Sequence, residues 1–163
     1  TYVFKPTNMK LPLFFIFGFM NLLALAQTEE DLQVKQNIIE FFDAFHAQDS
    51  IALKKTVYPS ILLQTIGVDK EGKSFLKTEN FDDLVKSITS IPDSTKFEER
   101  IMGYSIQIDG NMANAWTPYE FWINNEFHHC GVNSFQLFRE ENTWKIIYLI
   151  DTRRKNDCSV LPE

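Results

Sequence analysis

The sequence predicts an α+β domain, and three observations carry that expectation. Apolar residues recur at three-to-four spacing through the first half, between Thr28 and Ile88. The second half holds four extended runs, roughly 97–108, 112–123, 127–139 and 144–153, divided by Asp109-Gly110-Asn111, Asn124-Asn125 and Glu140-Glu141-Asn142. No internal repeat and no linker interrupts the 163 residues, a length that suits one well-packed core.

The chain opens on a segment expected to lie outside that domain. Leu11 to Ala26 is an apolar run that follows Lys10 and ends in Ala24-Leu25-Ala26. A membrane span usually needs about 18–20 apolar residues, and the small-x-small ending before Gln27 is what a signal peptidase cleaves after. Residues 1–26 are therefore read as upstream residues plus a signal peptide, with the start at Met9, and residues 27–163 as a single exported domain, periplasmic or secreted. After cleavage no stable membrane insertion is expected.

Within the domain, Thr28 with Asp31 three residues on reads as a helix N-cap, and Leu32, Ile38, Ile39, Phe42 and Phe45 form the apolar stripe of helix one, which runs to about Gln48. Asp49 or Ser50 caps a short second helix holding Ile51 and Leu53; Tyr58-Pro59 ends it, because a residue before proline avoids helical angles. Ser60 to Val68 reads as a strand and Asp69 to Lys73 as a polar hairpin loop. Phe81 to Ile88 form a third amphipathic helix, stopped before Pro92. A four-stranded antiparallel meander follows.

Charge and composition narrow the function. Sixteen Lys plus Arg stand against 22 Asp plus Glu, a formal charge of -6, and removal of Lys5 and Lys10 with the leader makes the domain more acidic still, at -8. A phosphate-backbone binder needs a cationic face, so no nucleic-acid partner is expected. Fifteen Phe, three Trp and five Tyr exclude a disordered acidic tail. The chain has two cysteines, Cys130 and Cys158, and in an exported protein they are expected to form a disulfide.

The element order, with Phe41-Phe42-Asp43-Ala44-Phe45-His46-Ala47-Gln48-Asp49 in helix one, resembles the nuclear transport factor 2-like (cystatin-like) superfamily over about residues 28–155. That resemblance implies a cone, three helices packed on a curved, mostly antiparallel sheet, with an internal pocket. Trp116-Thr117-Pro118-Tyr119-Glu120-Phe121, His129-Cys130-Gly131-Val132-Asn133, Phe135-Gln136-Leu137, Trp144-Lys145-Ile146-Ile147 and Asp151-Thr152-Arg153-Arg154 resemble the lumazine-binding family within it. The name alone does not fix a ligand.

Turn length and alternation supply the candidate site. A two-residue turn at Asn124-Asn125 pairs Ile123 with Glu126, which puts Glu120 opposite His129 and Trp116 opposite Asn133. The resemblance places the Asn133 position on the pocket side, so Trp116, Glu120, His129 and Asn133 become the expected pocket wall and Tyr119 points away. A slip of one residue would turn them out. Asp151 joins them if the loop at Glu140 to Asn142 has three residues and turns away if it has two. Strand 144–153 is apolar on both faces, with Trp144, Ile146, Tyr148 and Ile150 on one, which implies an outer partner and so a homodimer.

Three functions fit. The first is an exported small-molecule-binding domain whose ligand is small and apolar or aromatic. The second is a lyase or isomerase using His129 with Glu120 or Asp151. The third is a structural dimer whose cone is filled by its own side chains. No cofactor is called for. His128 and His129 alternate faces, so without a bulge they cannot share a metal, and no metal site is expected. Arg153-Arg154 would suit an anionic ligand or a solvated strand end equally well. His46 reads as a partly exposed histidine at a helix C-terminus. The ketosteroid isomerases of the superfamily use a helix-one Tyr, a protonated Asp and an Asp base. Here the corresponding positions are Phe41, Asn133 and a strand without a carboxylate, so that chemistry does not transfer.

Overall fold

The computed structural model describes the backbone of residues 14–158 and side chains from residue 29 onward. Three helices, α1 (Phe14–His46), α2 (Ser50–Thr56) and α3 (Phe81–Thr89), pack on one face of a seven-stranded sheet. The strands are β1 (Val57–Val68), β2 (Ser74–Glu79), β3 (Phe97–Ile101), β4 (Ser105–Asp109), β5 (Met112–Ile123), β6 (Glu126–Glu140) and β7 (Thr143–Thr152). The expected start at Met9, and the side chains around the expected cleavage point after Ala26, lie outside the described residues. Among the described residues no helix is long and apolar enough to cross a membrane.

Helix α1 does not begin at Thr28 but runs unbroken from Phe14, because the preceding Leu and Ala residues are themselves helix formers and leave a cap at Thr28 nothing to start. Its buried stripe is Val34, Ile38, Phe41 and Phe42, while Leu32 is exposed. Asp49 caps α2 through Ile51 N and Ala52 N, each at 2.9 Å, and Asn80 caps α3. The buried Asn37 ties α1 to the sheet, its amide donating to the Trp144 carbonyl at 2.9 Å and the Thr56 carbonyl at 3.3 Å.

The sheet order is β2-β1-β7-β6-β5-β3, with β4 continuing beside β5. The extended run at 97–108 breaks into β3 and β4 at residues 102–104, and both fragments pair with the long β5. All neighbours are antiparallel except β1 and β7, whose parallel pairing joins the first strand to the last. Asn124 and Asn125 both adopt left-handed angles (φ 50° and 63°), the geometry a two-residue hairpin requires.

Two irregularities then reset the faces. Ile123 pairs with Glu126 and Trp122 with Phe127, but Phe121 pairs with His129, because His128 is an extra residue on β6. Every earlier residue of β5 is thereby shifted by one relative to the regular count. On β7, Glu140 pairs with Thr143 across a two-residue turn, and a second bulge places Gln136 opposite Tyr148 and Asn133 opposite Asp151. The alternation of β7 changes at this point: Trp144 and Ile146 are buried, then Leu149 packs toward the core and Tyr148 and Ile150 turn to the outer face.

The core lies between α1, α3 and the concave face of the sheet. Phe135 is fully buried, with its ring edge-on to Phe41 at 6.2 Å and Phe42 at 6.1 Å between centroids. Offset and edge-on pairs of this kind add roughly 0.5–1.5 kcal/mol each to the burial itself.

Candidate functional site

The cone keeps a cavity of about 330 Å³ open to one side. Its floor is apolar: α1 contributes Phe41, Phe42 and Phe45, α3 contributes Leu84 and Ile88, and β7 contributes Leu149. Its wall is polar and comes from β1, β3, β5, β6 and β7 through Thr65, Glu99, Tyr119, His129, Asn133 and Asp151.

His129, Asn133 and Asp151 therefore face the cavity. Trp116 and Glu120 do not. Trp116 is 48% exposed on the outer face, and Glu120 accepts a 3.0 Å hydrogen bond from the Trp122 indole on that same side. The bulge at His128 is the reason: β6 residues keep their expected face, while β5 presents Thr117, Tyr119 and Phe121 instead. Tyr119, expected to point away, is 2% exposed and stands at the centre of the wall. Asp151 reaches the inside by a route not foreseen, a two-residue turn compensated by the bulge on β7.

The polar groups form a chain. His128 Nδ1 lies 2.8 Å from His129 Nδ1, and His129 Nε2 lies 3.2 Å from the Tyr119 hydroxyl. Tyr119 sits 3.2 Å from Asp151 Oδ2 and 3.0 Å from the Thr152 carbonyl. Those last two oxygens only accept, so the single Tyr119 O–H is shared between them, His129 Nε2–H donates to Tyr119, and His128 donates to His129 Nδ1. Asp151 also accepts from Thr65 Oγ1 at 2.5 Å and from Arg153 Nε at 2.7 Å. Three donors on one carboxylate leave it an anchor for the wall.

Electrostatics agree with that assignment. Burial, with the Arg153 cation adding to it against the pull of Asp151, holds His129 down at about 4, so it is neutral at pH 7. Burial, reinforced by the Glu99 and Asp151 carboxylates, lifts Tyr119 far above the usual phenol range. Glu99 is pushed up to about 8 by burial, which outweighs the 2.6 Å hydrogen bond it accepts from the Asn133 amide; the Asp151 charge adds to the rise. At neutral pH Glu99 is a carboxylic acid with a proton to donate.

Sequence reasoning missed Glu99 because β3 reads as a solvated, charged strand. His46 signals its placement: its Nε2 accepts from the Glu99 backbone N–H at 2.8 Å. His46 is, as expected, the half-buried last residue of α1; that contact also makes it a tie between α1 and β3, and burial lowers its pKa against the pull of Glu98 and Asp43. Among the described residues no three His, Cys, Asp or Glu side chains are grouped to hold a metal.

Behind the wall, Cys130 and Cys158 form a disulfide with Cα atoms 5.7 Å apart. It holds the tail where Arg154 and Cys130 exchange backbone hydrogen bonds, both at 2.9 Å. Gly131 sits next to it under close approach. A Cβ there would lie 1.7 Å from the Thr152 carbonyl oxygen and 2.9 Å from the Tyr119 ring.

This curved sheet with its three helices recurs in solved proteins. The fold is nuclear transport factor 2-like. A protein of that fold from Shewanella baltica, of unknown function, aligns at 16% identity over 79% of this chain and 97% of its own, with a TM-score of 0.57. One with a cystatin-like fold from Novosphingobium aromaticivorans aligns at 13% identity over 85% and 91%, TM-score 0.62. A Mycobacterium tuberculosis protein of unknown function aligns at 12% identity over 85% and 80%, TM-score 0.64. No family model and no curated protein matches the chain.

Proposed function

We propose that this protein is an exported small-molecule-binding domain, whose ligand places an apolar or aromatic body in the cone and one hydrogen-bond acceptor against Glu99. The observation that carries the reading is the state of the wall. Both nitrogens of His129 and three acceptor positions of Asp151 are engaged within the protein, while a cavity of about 330 Å³ with an aromatic floor is left over. Ligand sites run from about 300 Å³ upward with few convergent polar groups, so a cone filled by its own side chains fits less well. The resemblance to the lumazine-binding family is compatible with an aromatic ligand and does not choose among them.

An acid/base enzyme has to free His129 from Tyr119 or His128 before it can move a substrate proton, and Glu120 is on the wrong side of the sheet to assist. The variant His129→Gln separates the two readings. In a binding domain it leaves affinity within about tenfold; in a lyase or isomerase it lowers the rate roughly 10² or more. Native mass spectrometry of protein from its own host supplies the ligand for that measurement, and a chain that carries no small molecule under any condition would sink the binding reading.

Export is part of the proposal and rests on Leu11 to Ala26 together with the Cys130–Cys158 disulfide. Cleavage after Ala26 would leave Thr28 as the helix cap. A homodimer through the outer sheet face is supported by Leu62, Ile66 and Trp116, which are 40–48% exposed there. Sedimentation of Trp116→Glu should then give a monomer where the unaltered chain gives a dimer.

A further inference from the structure

A second cavity, of about 580 Å³, opens directly outside the cone. Six lining residues, Thr65, Lys77, Glu79, His128, His129 and Arg153, belong to both, so the two cavities adjoin across a shared wall. Its outer wall is the tail that the disulfide pins to β6, which brings Arg154 and Lys155 to the rim. Four cationic side chains therefore face this space against two carboxylates, Glu79 and Asp157, in a chain whose overall charge is -6.

The charges are not equivalent. Lys77 pairs with Glu79 at 3.4 Å, and Arg153 with Asp151 at 2.7 Å. Arg154 and Lys155 have no ion-pair partner among the described residues. Arg153 is nonetheless held in place rather than loosely solvated. Its backbone N–H donates to Ile66 on β1 at 3.1 Å, Nε is committed to Asp151 and Nη2 reaches Thr65 Oγ1 at 3.4 Å, which leaves Nη1 without a hydrogen-bond partner among the described residues. A guanidinium already ordered by one carboxylate loses little further freedom in meeting a second.

We propose that this outer cavity is an anion subsite of the same pocket, in which Arg153, with Arg154 and Lys155 beside it, receives a carboxylate carried by the ligand whose apolar body fills the cone. The inference rests on the binding reading above and adds a ligand class to it, a small aromatic or alicyclic carboxylate. A cationic mouth on an acidic protein concentrates such anions and excludes them from the rest of the surface. The disulfide is then part of the site, since it fixes the tail that bears Arg154 and Lys155.

The test compares 2-naphthoate with 2-naphthamide, two ligands of one shape and different charge, by isothermal titration calorimetry on the oxidised chain. The naphthoate should bind about tenfold tighter, and the difference should shrink as salt is raised. Arg153→Gln should remove most of that preference. The double variant Arg154→Gln/Lys155→Gln, which leaves Asp151 paired, should cost the naphthoate about threefold and the amide almost nothing. Equal affinity of the two ligands, or equal losses for both in the two variants, overturns the anion subsite while leaving the pocket intact. Binding of neither ligand removes the pocket reading together with the subsite.

Discussion

The floor of the cone and its polar wall are specified by different rules. The floor depends on a helical stripe, in which Phe41, Phe42 and Phe45 subtend a broad angle and a small rotation still leaves aromatic rings facing the sheet. The wall depends on strand alternation, which has only two outcomes per residue. One extra residue, His128, exchanges Trp116 and Glu120 for Tyr119 and Phe121. A helix-built surface absorbs small errors; a strand-built one inverts.

Removing the β6 ring on which the floor's Phe41 and Phe42 rest should produce the largest effect. Phe135→Ala removes a fully buried ring from the cluster with Phe41 and Phe42 and should cost about 3–5 kcal/mol, read by urea denaturation. Ligand affinity should fall chiefly because less protein is folded.

A change in the wall should do the opposite. Gly131→Ala forces a methyl group against the Thr152 carbonyl and the Tyr119 ring, so β6 and β7 must separate where Tyr119 is anchored. About 2–3 kcal/mol of stability should be lost, with ligand affinity falling further than that loss accounts for. A melting curve and a binding isotherm on the same sample separate the two terms, and an Ala variant that binds normally would place Tyr119 outside the ligand site.

The smallest expected effect sharpens the comparison through pH. Glu99 holds its proton up to about 8 in the folded chain, against a reference of 4.5, so the native state binds the extra proton between those values. Its contribution is complete below pH 4.5 and is lost as pH rises through about 8. His129, lowered from 6.5 to about 4, acts in the opposite sense and does so below pH 6.5. Between pH 6.5 and 8 Glu99 acts alone, and stability should fall by about 1–2 kcal/mol. Glu99→Gln should flatten that slope; an unchanged slope would mean that Glu99 is ionised in the fold.

Most of the architecture was legible in the sequence because helix stripes, caps and turn residues are local signals. Asp49, the Asn124-Asn125 turn and the stop before Pro92 each act within four residues. On β6, His129 and Asn133 could be assigned to the pocket side. Tyr119 and Glu99 could not be, since the position of a bulge depends on how both strands pack against α1 and α3, and no local residue type announces it. Asp151 fell between these cases: its loop was ambiguous, and its final face was set by a second bulge. Cys130 and Cys158, the chain's two cysteines, needed only to be counted.

The parallel pairing of β1 with β7 has a kinetic consequence. Thr65 and Asp151, which meet across it, are 86 residues apart in the chain. Helices and the β5–β6 hairpin can form within about 10 μs, whereas contacts of such long range put mixed and β-rich domains in the range of roughly milliseconds to seconds. The last strand to be synthesised supplies the partner that the first strand lacks, so the cone closes last, and until then Phe41, Phe42 and Phe135 have no complete core to enter. A chain that folds in this order keeps those rings exposed until β7 docks beside β1.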